Sequence, residues 1–172
     1  MRREKIVVLT GAGISSESGV PTFRDSDGLW CNYKVEEICT PEALLHNRDV
    51  VIDFYNQRRK QLLTVEPNKA HTELVKLEQK YVVDIVTQNV DDLHEQACST
   101  VTHLHGHLWC NRCSQCKIPY QKQSRGSYSS ADTMDYSEVL ISCPHCDGYI
   151  RPDIVWFGEA LPVQAWETAE QA

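Results

Sequence analysis

The sequence contains no apolar run near the roughly 20 residues that a membrane-spanning helix needs. Its longest candidates, such as Ile6 to Leu9, are strand-sized. It also has no excess of positive charge. With 17 Lys+Arg against 24 Asp+Glu the formal net charge is −7, so neither phosphate backbones nor anionic membrane surfaces attract the chain as a whole. Met1-Arg2-Arg3-Glu4-Lys5 leads into only four apolar residues before Thr10 and Gly11, too few for a signal-peptide core. These shortages argue against nucleic-acid and membrane partners and set the expectation of a cytoplasmic, reducing location.

What is present is an ordinary globular mix. Of 172 residues, 41% are hydrophobic and 24% charged, enough for one domain with a small insert. Eight cysteines without an export signal do not read as a disulfide framework. Cys31, Cys39 and Cys98 are scattered, whereas Cys110, Cys113, Cys116, Cys143 and Cys146 cluster.

Lys5 to Thr10 is a continuous apolar run ending at Gly11, the pattern of a parallel strand buried on both faces, and Tyr81 to Thr87 reads the same way. Thr40-Pro41-Glu42 starts a helix, with Thr as N-cap and Pro in the first position. Asp49 to Leu63 and Pro67 to Gln79 carry apolar residues at helical spacing. A short helix over Asp91 to Ala97, a third strand over Thr100 to Leu104, a strand over Ile150 to Phe157 and a helix from Leu161 complete an α/β order. Residues 110 to 150 differ, with clustered Cys and a Ser/Tyr/Gly-rich stretch from Gln121 to Ser130. They suit a small inserted module.

Cys113-x-x-Cys116 and Cys143-x-x-Cys146, 26 residues apart, can each supply two thiolates to a tetrahedral Zn²⁺. Cys110-x-x-Cys113 has the same spacing, so spacing alone leaves Cys110 and Cys116 as alternatives, with His107 and His145 as further candidates. Four protein ligands close the coordination sphere, which makes the ion structural.

Gly11-Ala12-Gly13-Ile14-Ser15 follows the first strand, where paired glycines let backbone amides approach a pyrophosphate. The third glycine of the dinucleotide fingerprint is absent, because position 16 is Ser16. That absence argues against an ordinary Rossmann dehydrogenase.

Gly11-Ala-Gly-Ile-Ser15, Gly19-Val-Pro-Thr-Phe-Arg24, Thr87-Gln-Asn-Val-Asp91, Leu93-His94, His105-Gly106, the Cys pairs and Val155-Trp-Phe-Gly-Glu159 occur together and in order. This set resembles the sirtuins, the NAD-dependent protein deacylases, from about Lys5 to Glu159. The resemblance implies a Rossmann-like parallel sheet over residues 1–109, a zinc-ribbon module over 110–150 and a return to the first part over 151–172. It places the first zinc cysteine eight residues after the His105 position, which selects Cys113, Cys116, Cys143 and Cys146. It further implies that Gly11, Ala12, Gly13, Ser15, Phe23, Arg24 and Trp30 wrap NAD, and that Gln88, Asn89, Val90 and Asp91 line its ribose and carboxamide pocket. His105 matches the family's general base; neutral imidazole can take a ribose hydroxyl proton at neutral pH. His103 and His107 match no family role and are read as structural or exposed.

Tyr55 and Arg58 are three apart on one helical face. A guanidinium and a phenol suit a carboxylate, and the pair resembles the Tyr-x-x-Arg of class III sirtuins, which remove succinyl and malonyl groups from acylated-lysine proteins. Cys39 stands where that class commonly has Ala, which narrows the expected acyl pocket. Sirtuins continue past the last motif with a Gly-Thr-Ser loop and an Asn-containing strand, so the sequence looks like a C-terminally truncated member with the final strands missing. Two functions follow as expectations: an NAD-dependent deacylase, or an inactive zinc-bearing interaction module.

Overall fold

The Ile-Val-Val-Leu run has no polar face to turn to solvent, and Lys5–Thr10 forms strand β1. Val82–Thr87 forms β2, which pairs with β1 in parallel from Lys5 opposite Val82 to Thr10 opposite Thr87. Val101–His103 adds β3, also parallel, to give the order β1-β2-β3. The computed structural model describes residues 3–22, 33–120 and 142–172.

Parallel pairing needs crossover connections, and among the described residues five helices lie between β1 and β2. They are α1 (Gly13–Ser16), α2 (Val35–Ile38), α3 (Pro41–His46), α4 (Arg48–Leu63) and α5 (Lys69–Glu78). Thr40 caps α3 as expected, its hydroxyl accepting from the Ala43 amide at 3.1 Å. Helix α6 (Leu93–Gln96) links β2 to β3, and α7 (Val163–Gln171) follows the last strand. Among the described residues no helix is long and apolar enough to cross a membrane.

One expectation is corrected. Strand β1 is not buried on both faces, with Val7 50% exposed and Leu9 64%, and β2 is buried only in its second half, with Val82 46% exposed. Among the described residues β1 has a partner strand on one side only, and an apolar run does not distinguish such a strand from a central one.

The core sits around α4. Val51, Phe54 and Leu62 pack with Ile38, Leu93, Leu108 and Trp156, all buried; each such side chain contributes about 1.5–3 kcal/mol on burial. Arg59 is buried there too. It donates to the Leu108 carbonyl oxygen at 2.8 Å, to Asn111 Oδ1 at 2.8 Å and to Asn56 Oδ1 at 3.1 Å. These bonds offset the cost of burying a charge, and those to Leu108 and Asn111 clamp α4 to a fourth strand.

That strand, β4 (Gly106–Cys113), pairs with β5 (Ile150–Ile154) in a separate antiparallel sheet. The ladder runs from Gly106 opposite Ile154 to Cys113 opposite Ile150, with a bulge between His107 and Asn111. It therefore passes through residues 110 and 150, the expected edges of the module. Gly106 has φ +78°, and a Cβ there would collide with the Asp153 carbonyl oxygen. Only glycine allows the chain to turn from β3 into β4 at this point.

Candidate functional site

The C-terminal ends of β1 and β2 open onto a cavity of about 470 Å³, the usual place for a ligand in a parallel sheet. Ala12 lines it from the turn after β1 and Ser15 from α1, Gln88, Asn89, Val90 and Asp91 from the turn after β2, and His105 from the β3–β4 junction. Nothing lies within 4 Å of where a Cβ would sit at Gly11 or Gly13, so their backbone is open to close approach. Phe23, Arg24 and Trp30 lie outside the described residues.

Polar side chains at the floor fix one another. Ser15 donates to Asp91 Oδ2 at 2.9 Å and accepts from Asn89 Nδ2 at 3.0 Å, and all three are buried. The Asp91 Oδ1 accepts from the Leu93 amide at 3.2 Å, which ties the network to the start of α6.

His105 Nδ1 lies 2.9 Å from the Gln88 carbonyl oxygen. A carbonyl can only accept, so Nδ1 carries the hydrogen and Nε2 keeps a free lone pair. The ring can accept a proton there.

Tyr55, Arg58 and Cys39 form another wall, facing Trp156. Helix α4 turns Tyr55 and Arg58 to the same side, as three-residue spacing requires. Trp156 Nε1 donates to the Tyr55 hydroxyl at 2.8 Å, and Cys39 Sγ lies 3.2 Å from the same oxygen. Burial pushes the Tyr55 hydroxyl and the Cys39 thiol up and the Arg58 guanidinium down from their ordinary pKa values, while the pairing of Arg58 with its neighbours opposes part of each shift. The wall presents a half-buried cation beside a neutral phenol.

Spacing did not reveal what holds Trp156. Arg151, 2% exposed, donates to both Glu159 carboxylate oxygens at 2.7 and 2.9 Å and lies 3.3 Å from the centre of the Trp156 ring system. Glu159 Oε2 accepts from the Trp156 amide at 2.9 Å. The Trp-Phe-Gly-Glu turn thus closes on its own glutamate; the motif marked the turn but not the arginine behind it.

At the other end of β4, Cys113, Cys116, Cys143 and Cys146 bring their sulfurs within 4.8 Å of one another. Cys113 and Cys146 are 3.4 Å apart and Cys116 and Cys143 3.7 Å, close to the ~3.8 Å between thiolates on a tetrahedral zinc with ~2.3 Å bonds. Amides of Gln115, His145 and Gly148 donate to three of the sulfurs at 3.4 Å. Burial raises the Cys113 thiol, but the Gln115 and Cys116 amides and the adjacent Cys146 and Cys116 thiols prevail and bring it down to about 6. The Ile118 amide lowers Cys116, yet the surrounding thiols push it up to about 12. Four sulfurs this close cannot all ionise without a cation, and the donor set fits Zn²⁺. Cys110, His107 and His145 do not belong to this group.

The model of the Sir2 family matches residues 11–172. The chain belongs to the Sir2 family. It is 45% identical over 168 residues to an NAD-dependent protein deacylase of Pyrococcus furiosus, an alignment covering 95% of this chain and 64% of that protein. An NAD-dependent protein deacylase of Aquifex aeolicus is 43% identical over 171 residues, covering 98% and 68%. Among solved structures, a Sir2 homologue mutant in complex with ADP-ribose superposes with a TM-score of 0.82 at 39% identity, covering 98% of this chain and 65% of that one. A Sir2 homologue–NAD complex gives 0.81 at 38%, covering 98% and 63%. This Sir2 chain therefore spans about two thirds of the length of such relatives.

Proposed function

We propose that this Sir2 chain is part of an NAD-dependent protein-lysine deacylase that prefers acyl groups ending in a carboxylate, succinyl and malonyl, and also accepts acetyl. The observation that carries the reading is the shared cavity. His105, with a free Nε2, and the Tyr55–Arg58 pair line the same ~470 Å³ space as Asn89 and Asp91.

NAD, the co-substrate, supplies the ribose that takes the acyl group as nicotinamide leaves. Gly11, Ala12, Gly13 and Ser15, with Phe23, Arg24 and Trp30, hold its phosphates and nicotinamide side. Gln88, Asn89, Val90 and Asp91 orient its ribose and carboxamide. His105 takes the hydroxyl proton on Nε2, and its Nδ1–H bond to Gln88 keeps the ring in that tautomer. Arg58 meets the acyl carboxylate with a charge-assisted bond and Tyr55 adds a hydroxyl. Residues 110–150 form a module whose zinc, held by Cys113, Cys116, Cys143 and Cys146, is structural.

NAD binding by calorimetry followed by nicotinamide release from a succinyl-lysine peptide tests this reading. Nicotinamide release should require the acylated peptide, and formation of free-lysine peptide should vanish in His105→Ala. A zinc-loaded, folded chain that neither binds NAD nor releases nicotinamide would support an interaction module instead.

A further inference from the structure

Two histidines beside His105, with one glutamate, take no part in the deacylase reading. Glu95 on α6, His103 at the end of β3 and His107 on β4 bring three metal-ligating atoms within 4.8 Å of one another. Glu95 Oε1 lies 2.6 Å from His103 Nε2 and 3.7 Å from His107 Nε2, and the two rings meet edge to face at 4.8 Å.

The proton positions set the chemistry. His103 Nδ1 lies 2.8 Å from the Asn89 carbonyl oxygen, which can only accept, so Nδ1 carries a hydrogen. His103 Nε2 then faces a carboxylate oxygen at 2.6 Å, and two acceptors approach that closely only with a positive charge between them. In the metal-free chain that charge is a proton.

We propose that Glu95, His103 and His107 form a second metal site, in which a divalent ion of the zinc or nickel type takes the place of this proton. Two imidazoles and one carboxylate are a donor set for such ions and leave a coordination position open. The Asn89 carbonyl supplies the outer contact that fixes the ring of a ligating histidine. His107 Nδ1 accepts from the Trp109 amide at 3.2 Å; binding at Nε2 moves the ring proton to Nδ1 and gives up that long bond. Side-chain exposures of 37% for Glu95, 12% for His103 and 25% for His107 let an ion enter from solvent onto rings that are already positioned. The four-cysteine site is closed and all sulfur, so the two sites differ in both chemistry and spectrum.

Cobalt(II) added in excess to the zinc-loaded chain tests the proposal without substrate or NAD. One further ion per chain should bind, with visible d–d bands and no thiolate charge-transfer band. The double variant His103→Ala/His107→Ala should lose this ion and keep the cysteine-bound zinc, and Glu95→Gln should weaken it about tenfold or more. Uptake of no second ion, or equal uptake by the chain and a folded double variant, would overturn the site. If the double variant does not fold, unchanged affinity in Glu95→Gln overturns it as well.

Discussion

Trp156 Nε1 donates to the Tyr55 hydroxyl at 2.8 Å, with the two rings stacked 5.9 Å apart. This bond joins the turn after β5 to α4, and the hydroxyl's other neighbour is Cys39 Sγ. Trp156→Phe removes the donor and leaves the buried oxygen with a thiol alone, at an expected cost of about 1–3 kcal/mol. Urea unfolding should show it. Combined with Tyr55→Phe, the loss should be smaller than the sum of the two single losses, because one bond is removed twice. Strict additivity would mean that the bond contributes nothing.

Arg58 distinguishes acyl groups by charge. Arg58→Met keeps most of the stem and removes the guanidinium, so it should reduce turnover of a succinyl-lysine peptide by roughly 10- to 100-fold, the range of a charge-assisted bond. Acetyl-lysine turnover should change little. Equal losses on both substrates would remove the carboxylate role and leave Arg58 as a helix residue whose burial matters only to packing.

Metal content separates the cysteines. Cys143→Ser should lose the one zinc held by the four-sulfur cluster, and with it the order between β4 and β5, because metal binding and folding are one event in such modules. Cys110→Ser should keep that zinc, since Cys110 lies outside the cluster. Emission spectrometry on the purified variants reads both. Equal zinc loss would reassign the ligands.

How much of this was legible depended on whether the signal was local. The α4 pattern and the Thr40 cap are each set by residues within one or two turns, and the structure places them as the spacing implies; for the cysteines spacing left Cys110 and Cys116 open, and the structure groups Cys116 with Cys113, Cys143 and Cys146. The exposed face of β1 was not legible, because Val7 and Leu9 look the same in a strand paired on one side as in a central one. Helical spacing put Tyr55 and Arg58 on one face but gave no sign that adjacent Arg59 is the deeply buried one, since its partners Leu108 and Asn111 lie in another element. The Arg151–Glu159 clasp was hidden for a different reason: its residues read as ordinary polar positions around a strand end. Glu95, His103 and His107 converge only because Gly106 turns the chain and a bulge follows.

The buried pair His71 and His94 predicts how stability depends on pH. The two rings meet edge to face at 4.8 Å, and both residues are buried. His71 Nδ1 accepts from the Asn68 amide at 3.2 Å, which puts its hydrogen on Nε2. His94 Nε2 faces Thr10 Oγ1 at 3.1 Å, and that hydroxyl donates to Thr87, so His94 carries its hydrogen on Nε2 and leaves Nδ1 bare. Burial is the main cause that lowers both rings below the ordinary histidine value. The neighbouring His71 lowers His94 further, to about 4, despite Glu95, and Asp91 pulls His71 partly back. The unfolded chain therefore binds more protons than the folded one between about pH 6.5 and 4, and stability must fall as pH drops through that window. The loss from this pair should be on the order of 2 kcal/mol. Urea midpoints measured from pH 7 to pH 5 should decline, and His94→Gln, which cannot take up the proton, should flatten the slope. A midpoint independent of pH over that range would show that both rings take up protons in the fold as readily as in the unfolded chain.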